Sequence, residues 1–258
     1  MKAEDIKNIG IMGGGVMGGG IAQTAILAGY KVLVRELSDE LCEKMKNTIT
    51  DGRFGLKGGV ARGKQTQDEM DQAMANLSCT TKAEDLKDSD LLIEAIGGGP
   101  GQMENKYLKL QVFAEMDKIV KKDAIFVSNT STYTIADLAV AVDAERKPNF
   151  LGMHWFSPAN IMKLVEVIHI PENSEEVIKT LEDVCDRLGK VHVRVKDVPG
   201  DTGFIGNRVM GAARREAMKI VQEEIATAED VNTAMMNGFN WPVGPLGGGG
   251  PSARSGWQ

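Results

Sequence analysis

The sequence predicts an α/β protein: a mostly parallel, doubly wound sheet with a small, all-helical domain after it. Short apolar runs alternate with amphipathic helical segments along most of the chain, which is the pattern of parallel strands joined by helices. From Phe204 onward only helical periodicity is present. We therefore expect a first domain over 1–199, a helical domain over 200–246, and a disordered tail over 247–258 that lacks apolar periodicity.

A glycine turn follows the first predicted strand, Ile9–Met12. Its spacing matches GxGxxG, in which the glycines permit a tight turn, a close approach of a pyrophosphate, and close packing of helix on strand. Glu36 closes the next strand, where such folds place a carboxylate that binds the adenosine ribose. The segment predicts a Rossmann-like NAD site whose turn residues bind the cofactor: Gly13, Gly15, Val16, Met17 and Gly18.

The remaining elements of the first domain follow from periodicity. Amphipathic spacing predicts helices over 38–50, 66–74, 104–120 and 174–188, with a loose, glycine-rich tip over 52–64 between the first two. Apolar runs predict strands over 91–96, 124–128, 150–155, 163–169 and 191–195. Because ligands of parallel sheets bind beyond the carboxyl ends of the strands, functional side chains should follow these runs.

The helical domain has two predicted helices. Thr227 is the expected N-cap of the second, which carries acidic residues in its first turn. The first carries one apolar stripe, formed by Ile205, Val209, Ala212, Ala213, Ala217 and Ile220.

Composition excludes several classes of function. The net charge of -6 and the scattered basic residues provide no field for nucleic acid. The three cysteines, Cys42, Cys79 and Cys185, are widely spaced and lack histidines at metal-ligand intervals, so we expect free thiols in a reducing compartment and no metal site. With no signal-peptide pattern and no uncharged span suited to a bilayer, we expect a cytoplasmic protein without membrane contact.

Several motifs together identify a family. In order along the chain they are Ser128–Ser131, Gly152–Pro158, Met162–Val167, Asn207–Arg208, Ala228–Val231 and Trp241–Leu246. With the glycine turn, they resemble the 3-hydroxyacyl-CoA dehydrogenase family, and in particular its 3-hydroxybutyryl-CoA dehydrogenases, nearly throughout the chain. The resemblance implies an NAD-dependent enzyme that interconverts 3-hydroxyacyl-CoA and 3-oxoacyl-CoA.

Oxidation of a secondary alcohol needs a base for the hydroxyl proton, and histidine titrates near working pH. His154 closes a predicted strand, although a histidine in such a position often serves structure alone. Glu166 lies on the next strand, where an antiparallel return could bring its carboxylate against the second ring nitrogen. The resemblance gives this pair the catalytic role, and it implies that Ser128 binds the reacting oxygen and that Asn207 contacts the substrate near its carbonyl.

Other site residues follow from the same resemblance. Glu104 and Lys109 match cofactor-binding positions, although a solvated helical lysine is nearly as good an interpretation of Lys109. Ser157 stands where the family usually has asparagine, which keeps hydrogen bonding but shortens the reach toward substrate. Lys57, Arg62 and Lys64 are candidate partners of the CoA phosphates, although a solvated loop is the simpler explanation of each.

The chain also departs from the family. Gly97–Met103 and Asp201–Gly203 are glycine-containing insertions, and after Leu246 the sequence lacks the further helices that complete the family's second domain. An incomplete helical domain would expose its apolar stripe unless a second subunit covers it, so we expect a homodimer through this domain.

Three alternatives stay open from sequence. Arg35 beside Glu36 could recruit the 2'-phosphate of NADP if the carboxylate turned away. The chain could bind NAD in a structural or regulatory role with little turnover, since its helical domain is incomplete. A dehydrogenase of a free hydroxy acid would need an arginine for the substrate carboxylate, for which Arg208 is the candidate.

Overall fold

The computed structural model describes residues 1–97, 104–200 and 203–247. The chain divides into two units, Met1–Asp201 and Thr202–Gln258. Three predicted segments fall largely outside the described residues. Of the insertions over 97–103 and 201–203, only residues 97 and 203 are described. Of the tail over 247–258, only residue 247 is described.

The first unit is built on an eight-stranded sheet with the order β3-β2-β1-β4-β5-β6-β7-β8. All neighbouring pairs are parallel except β6 and β7, which are antiparallel. The strands are β1 (Asn8–Met12), β2 (Lys31–Arg35), β3 (Leu77–Thr80), β4 (Leu91–Glu94), β5 (Ile125–Ser128), β6 (Phe150–Trp155), β7 (Leu164–His169) and β8 (Val191–Lys196).

Helices join the strands and form the second unit. They are α1 (Val16–Leu27), α2 (Asp39–Asp51), α3 (Leu56–Ala61), α4 (Gln67–Ala75), α5 (Lys106–Ile119), α6 (Ile135–Ala139), α7 (Glu175–Arg187), α8 (Gly206–Gln222) and α9 (Ala228–Gly238). Short 3-10 turns lie at Ala83–Asp88 and Lys147–Asn149. The predicted Rossmann-like sheet and the helical second part are confirmed.

The burial of the strands agrees with their positions in the sheet. Every residue of β4, β5 and β6 is buried, as expected for central strands covered on both faces, whereas no residue of the edge strand β8 is buried. Side-chain caps begin the helices where the sequence places serine, threonine or asparagine. Ser38 accepts a hydrogen bond from the Leu41 N–H, and Thr227 forms a capping box with Asp230.

Three short elements were not predicted. The glycine-rich segment over 52–64, expected to be a loose tip, contains α3, and both β3 and α6 are too short to carry a clear period. In α3 the side-chain amide of Gln65 donates to the Leu56 carbonyl, so a tertiary contact supports what helix propensity does not.

The prediction of three free thiols is wrong. Cys42 on α2 and Cys79 on β3 form a disulfide, with their Cα atoms 5.7 Å apart. The two cysteines are 37 residues apart in sequence, and this spacing does not predict that α2 lies next to the edge strand β3. Cys185 remains a buried free thiol, and burial raises its pKa to about 12.

The second unit leaves apolar side chains exposed, as the sequence predicts. Val209 is 61% exposed, and Ile205, Met210 and Met218 are each exposed by more than two fifths, whereas Ala217 is buried. No helix of the described residues is long and apolar enough to span a bilayer.

Candidate active site

The glycine turn has the backbone that its sequence requires. Gly13 has φ +91°, in the left-handed region that favours glycine, and a Cβ on Gly18 would lie 1.7 Å from the Gly13 carbonyl oxygen. A Cβ on Gly15 would meet nothing within 4 Å, so this position opens onto space that a ligand can enter. Gly15 caps α1 without a side-chain hydrogen bond, and the first turn has no acidic residue. These features fit a pyrophosphate at the helix N-terminus.

Glu36 lies at the carboxyl end of β2, beside this turn. The Gly14 N–H donates to its Oε1 at 2.6 Å, and the Leu37 N–H donates to its Oε2 at 3.1 Å. The carboxylate therefore stays at the turn, where it can accept from a ribose diol and repel a 2'-phosphate. Arg35 Nε is buried without a hydrogen-bond partner among the described residues. The NADP alternative, which needs Glu36 to turn away, gains no support.

The antiparallel return of β7 on β6 places His154 opposite Glu166 in the strand register. Nδ1 of His154 lies 2.7 Å from Oε2 of Glu166, and the two residues are 4% and 0% exposed. This is the contact that the sequence predicts. Because a carboxylate only accepts, the pair holds the proton on Nδ1.

A buried charged cluster lies at the ends of β4 and β5. Lys109 Nζ donates to Glu94 Oε1 at 2.6 Å and to the Ile96 carbonyl at 2.7 Å, and it lies 3.3 Å from Glu104 Oε2. Lys109 is 2% exposed, so the alternative of a solvated lysine is wrong. The hydroxyl of Ser128 donates to Glu94 Oε2 at 2.6 Å.

Glu104 is fixed on the same side of the sheet. Its carboxylate accepts from the Thr130 hydroxyl at 2.6 Å, from the N–H and hydroxyl of Ser131 at 3.0 and 3.1 Å, and from the Thr132 hydroxyl at 3.2 Å. Burial alone would raise the pKa of Glu104, but Lys109 and these hydrogen bonds outweigh it, so the pKa is lowered. Glu104 therefore adds a fixed negative charge beside the predicted nicotinamide end.

The loop after β6 carries Ser157 and is fixed from two sides. The Trp155 N–H donates to Asn129 Oδ1 at 2.8 Å, and a cis peptide bond joins Ser157 to Pro158. Lys190 Nζ donates to the Ala159 and Met162 carbonyls at 2.6 and 2.9 Å. Burial lowers the pKa of Lys190 to about 8.

The remaining predicted residues lie on other elements. Lys57 is exposed in α3, where its Nζ pairs with Asp51 Oδ1 at 2.6 Å, and Lys64 is exposed in the following loop. Asn207 and Arg208 lie in the first turn of α8, in the second unit. No group of three metal-ligating side chains occurs within residues 1–97, 104–200 and 203–247.

Sequence reasoning missed three residues of this region: Glu94, Asn129 and Lys190. A glutamate inside an apolar strand was the available signal for Glu94, because a buried carboxylate must be paired. Asn129 follows Ser128 in a motif that was recognised, but its partner is a backbone N–H that no pattern reveals. Lys190 lies between a helix and a strand, where lysine is usually solvated.

A glycine turn beside a carboxylate, with a buried His-Glu pair at the same edge of the sheet, is the arrangement of an NAD-dependent dehydrogenase. Residues 8–198 match the family model for the NAD-binding domain of 3-hydroxyacyl-CoA dehydrogenase, and residues 203–249 match the model for its C-terminal domain. The chain belongs to the 3-hydroxyacyl-CoA dehydrogenase family.

Individual relatives agree with this assignment. The chain is 36% identical over 244 residues to the mitochondrial hydroxyacyl-coenzyme A dehydrogenase of Rattus norvegicus, covering 93% of this chain and 74% of the relative. It is 34% identical over 246 residues to the 3-hydroxybutyryl-CoA dehydrogenase of Mycobacterium tuberculosis, covering 95% and 81%. The crystal structure of (S)-3-hydroxybutyryl-CoA dehydrogenase from Ralstonia eutropha matches with a TM-score of 0.84 at 33% identity, covering 93% of this chain and 80% of that one.

Proposed function

We propose that this chain interconverts a 3-hydroxyacyl-CoA and the corresponding 3-oxoacyl-CoA, with His154 moving the hydroxyl proton. NAD, when bound, supplies the hydride acceptor or donor at the nicotinamide ring. The turn at Gly13, Gly15 and Gly18, with Glu36, would hold its adenosine half, and Glu104 and Lys109 would adjoin its nicotinamide half. The observation that carries the proposal is the buried contact between His154 and Glu166.

The proton chemistry follows from that contact. In the oxidation direction, His154 Nε2 takes the proton of the substrate hydroxyl, so a carbonyl forms as the hydride leaves the same carbon. The imidazolium that results is stabilised by the Glu166 carboxylate, whose Oε2 lies 2.7 Å from Nδ1. In the reduction direction the same group returns the proton to the oxygen. Burial of both side chains strengthens this charge interaction.

The substrate contacts are proposed from the family resemblance together with position. Ser128 closes β5 next to β6 and so lies at the same sheet edge as His154. Ser157 follows β6. Asn207, which lies in the first turn of α8, is proposed from the resemblance alone. Lys57 and Lys64 are the proposed partners of the CoA phosphates. The names of the relatives support a short acyl chain such as that of acetoacetyl-CoA.

The assembly and the location are also proposed. The exposed side chains of α8, with Val209 at their centre, support a homodimer through the helical unit. Replacing Val209 by lysine should shift the sedimentation coefficient toward that of the monomer. The cytoplasm is the proposed compartment, although of the expected free thiols only Cys185 is found, and cell fractionation tests it.

The experiment measures NADH consumption with acetoacetyl-CoA by wild type and by His154→Asn. We expect turnover by wild type, loss of at least about a thousandfold in the variant, and an unchanged Kd for NADH. The matched control is His192→Asn, since His192 also faces a carboxylate, with Nε2 3.4 Å from Asp186 Oδ1, but lies on the edge strand β8. Turnover of His154→Asn at the wild-type rate contradicts the proposal, as does faster reduction of free acetoacetate than of its CoA ester.

A further inference from the structure

The disulfide between Cys42 and Cys79 connects two elements that adjoin Glu36. Cys42 lies on α2, which begins shortly after Glu36 with Ser38 as its N-cap. Cys79 lies on β3, one residue before Thr80, whose carbonyl accepts a hydrogen bond from the Glu36 N–H at 2.9 Å. The disulfide therefore ties the helix that follows Glu36 to the strand that holds its backbone.

Helix α2 also packs on the glycine turn. Its buried residues are Cys42, Met45 and Ile49. A Cβ on Gly14 would lie 2.9 Å from Met45 Cγ and 3.3 Å from Glu36 Oε1, so both side chains lie close to this glycine. The Gly14 N–H holds Glu36 Oε1 at 2.6 Å. Because Cys42 and Met45 lie on one face of α2, a shift of the helix at Cys42 moves the side chain that packs on Gly14.

The disulfide is accessible at one of its two cysteines. Cys42 is buried, whereas Cys79 is half-buried and lies on β3 at the edge of the sheet. The thiolate of a thiol reductant can attack Sγ of Cys79 and break the sulfur–sulfur bond, so that Cys42 leaves as a thiolate and takes up a proton. A second thiol then attacks the mixed disulfide and releases Cys79, which also takes up a proton. The protein gains two electrons and two protons, and the two reductant thiols become a disulfide.

The proposed compartment favours a redox role for this disulfide. Disulfides are rare in the cytoplasm, and those that form there usually serve catalysis or redox sensing. Cys42 and Cys79 take no part in the proposed proton chemistry of His154 and Glu166. The remaining cysteine, Cys185, is buried with its pKa raised to about 12, so it is a poor nucleophile for exchange with the disulfide.

We infer that Cys42 and Cys79 form a reversible thiol–disulfide site that controls how firmly Glu36 is held, so that the oxidised protein binds NADH more tightly than the reduced protein. When the disulfide is reduced, α2 is no longer tied to β3, and its first turns can move relative to Gly14 and Glu36. This inference rests on the proposed function in one respect, the placement of the adenosine half of NAD at Glu36.

The two nicotinamide cofactors should respond differently to reduction. A less firmly held Glu36 carboxylate binds the ribose diol of NADH more weakly, and it repels the 2'-phosphate of NADPH less. Reduction should therefore lower the affinity for NADH and also narrow the preference for NADH over NADPH. A general loosening of the fold would weaken the binding of both cofactors alike.

The experiment measures the Kd of NADH and of NADPH by fluorescence titration, in oxidised protein, in protein reduced with dithiothreitol, and in reduced protein that has been reoxidised with oxidised glutathione. Thiol titration follows the state of the disulfide. On reduction we expect the Kd for NADH to rise about fivefold and the ratio of the NADPH Kd to the NADH Kd to fall by a similar factor. Reoxidation should restore both values.

Three variants assign the response to the disulfide and to Glu36. Cys79→Ser should have the Kd values of reduced wild type and should not respond to dithiothreitol. Cys185→Ser is the matched control and should keep the full response, since it removes the cysteine outside the disulfide. In Glu36→Ser, dithiothreitol should leave the ratio of the two Kd values unchanged, because the carboxylate through which the disulfide acts is absent.

Equal Kd ratios in oxidised and reduced wild type overturn the inference. So does a disulfide that dithiothreitol reduces only when circular dichroism shows unfolding, because it then serves the fold alone. If Cys79→Ser does not fold, the reversible response of wild type and of Cys185→Ser still decides. The binding measurements need no turnover, so a wild type that fails to oxidise NADH with acetoacetyl-CoA removes the proposed function while the Kd ratios still test the disulfide.

Discussion

Replacing Glu166 by glutamine keeps the size of the side chain and removes its charge. Glu166 is fully buried, and its Oε2 lies 2.7 Å from Nδ1 of His154. For charge centres about 4 Å apart and an effective dielectric constant of about 20, the attraction between carboxylate and imidazolium is about 4 kcal/mol. Only the protonated ring gains from this attraction, and it forms as the hydroxyl proton moves. We therefore expect kcat to fall about a thousandfold.

The assay is steady-state oxidation of 3-hydroxybutyryl-CoA, followed by NADH formation. The KM should change by less than about threefold, since the substitution removes an interaction that is made only as the proton moves. Glu182→Gln is the matched control. Glu182, on helix α7, is also a buried carboxylate and accepts a hydrogen bond from Arg194 of β8. The kcat of this variant should stay at the wild-type value. A kcat for Glu166→Gln within tenfold of wild type refutes the electrostatic argument.

Three further predictions concern the cofactor turn and the loop after β6. Gly15→Ala should keep the wild-type Tm but raise the Kd for NADH at least about tenfold. Gly18→Ala, whose Cβ would lie 1.7 Å from a backbone oxygen, should raise this Kd and also lower the Tm. Calorimetry measures the Tm, and fluorescence titration measures the Kd. Glu36→Ser should narrow the preference for NADH over NADPH by about tenfold in competitive binding, because it removes the charge that repels a 2'-phosphate. The folded pKa of Lys190, about 8, lies below its ordinary value of 10.5, so the unfolded chain binds more protons between these pH values and wild-type stability rises with pH across that window. Urea titrations give the difference in unfolding free energy between wild type and Lys190→Met. This difference should change by up to about 3 kcal/mol from pH 8 to 10.5. A difference that stays constant contradicts the lowered pKa of Lys190.

Elements with a strong period were predictable from sequence. The strands of the central sheet are continuous apolar runs, and α2, α7 and α8 each carry one apolar stripe, so local pattern and tertiary burial agree. By contrast, β3 has four residues and α6 has five, too few for a period, and α3 contains adjacent glycines. These elements depend on tertiary contacts that a local pattern does not carry.

The contacts of the candidate site also divide into those that the sequence predicts and those that it does not. The contact between His154 and Glu166 followed from sequence because two strands joined by a short connection return antiparallel, and their register then pairs the two positions. The ionic contacts of Lys109 could not be predicted, because its helical spacing is compatible with a solvated face and only the packing of α5 against β4 buries it. The disulfide between Cys42 and Cys79 depends on a similar non-local approach.

Isotope transfer tests the central claim most directly. Wild type is incubated with acetoacetyl-CoA and NADH that carries deuterium at the reactive nicotinamide carbon, and the acyl product is analysed by mass spectrometry and NMR. Direct hydride transfer predicts 3-hydroxybutyryl-CoA with one deuterium, bonded to C3. Recovery of unreduced acetoacetyl-CoA contradicts the account. So does a product that carries no deuterium at C3, whichever face of the nicotinamide carbon was labelled.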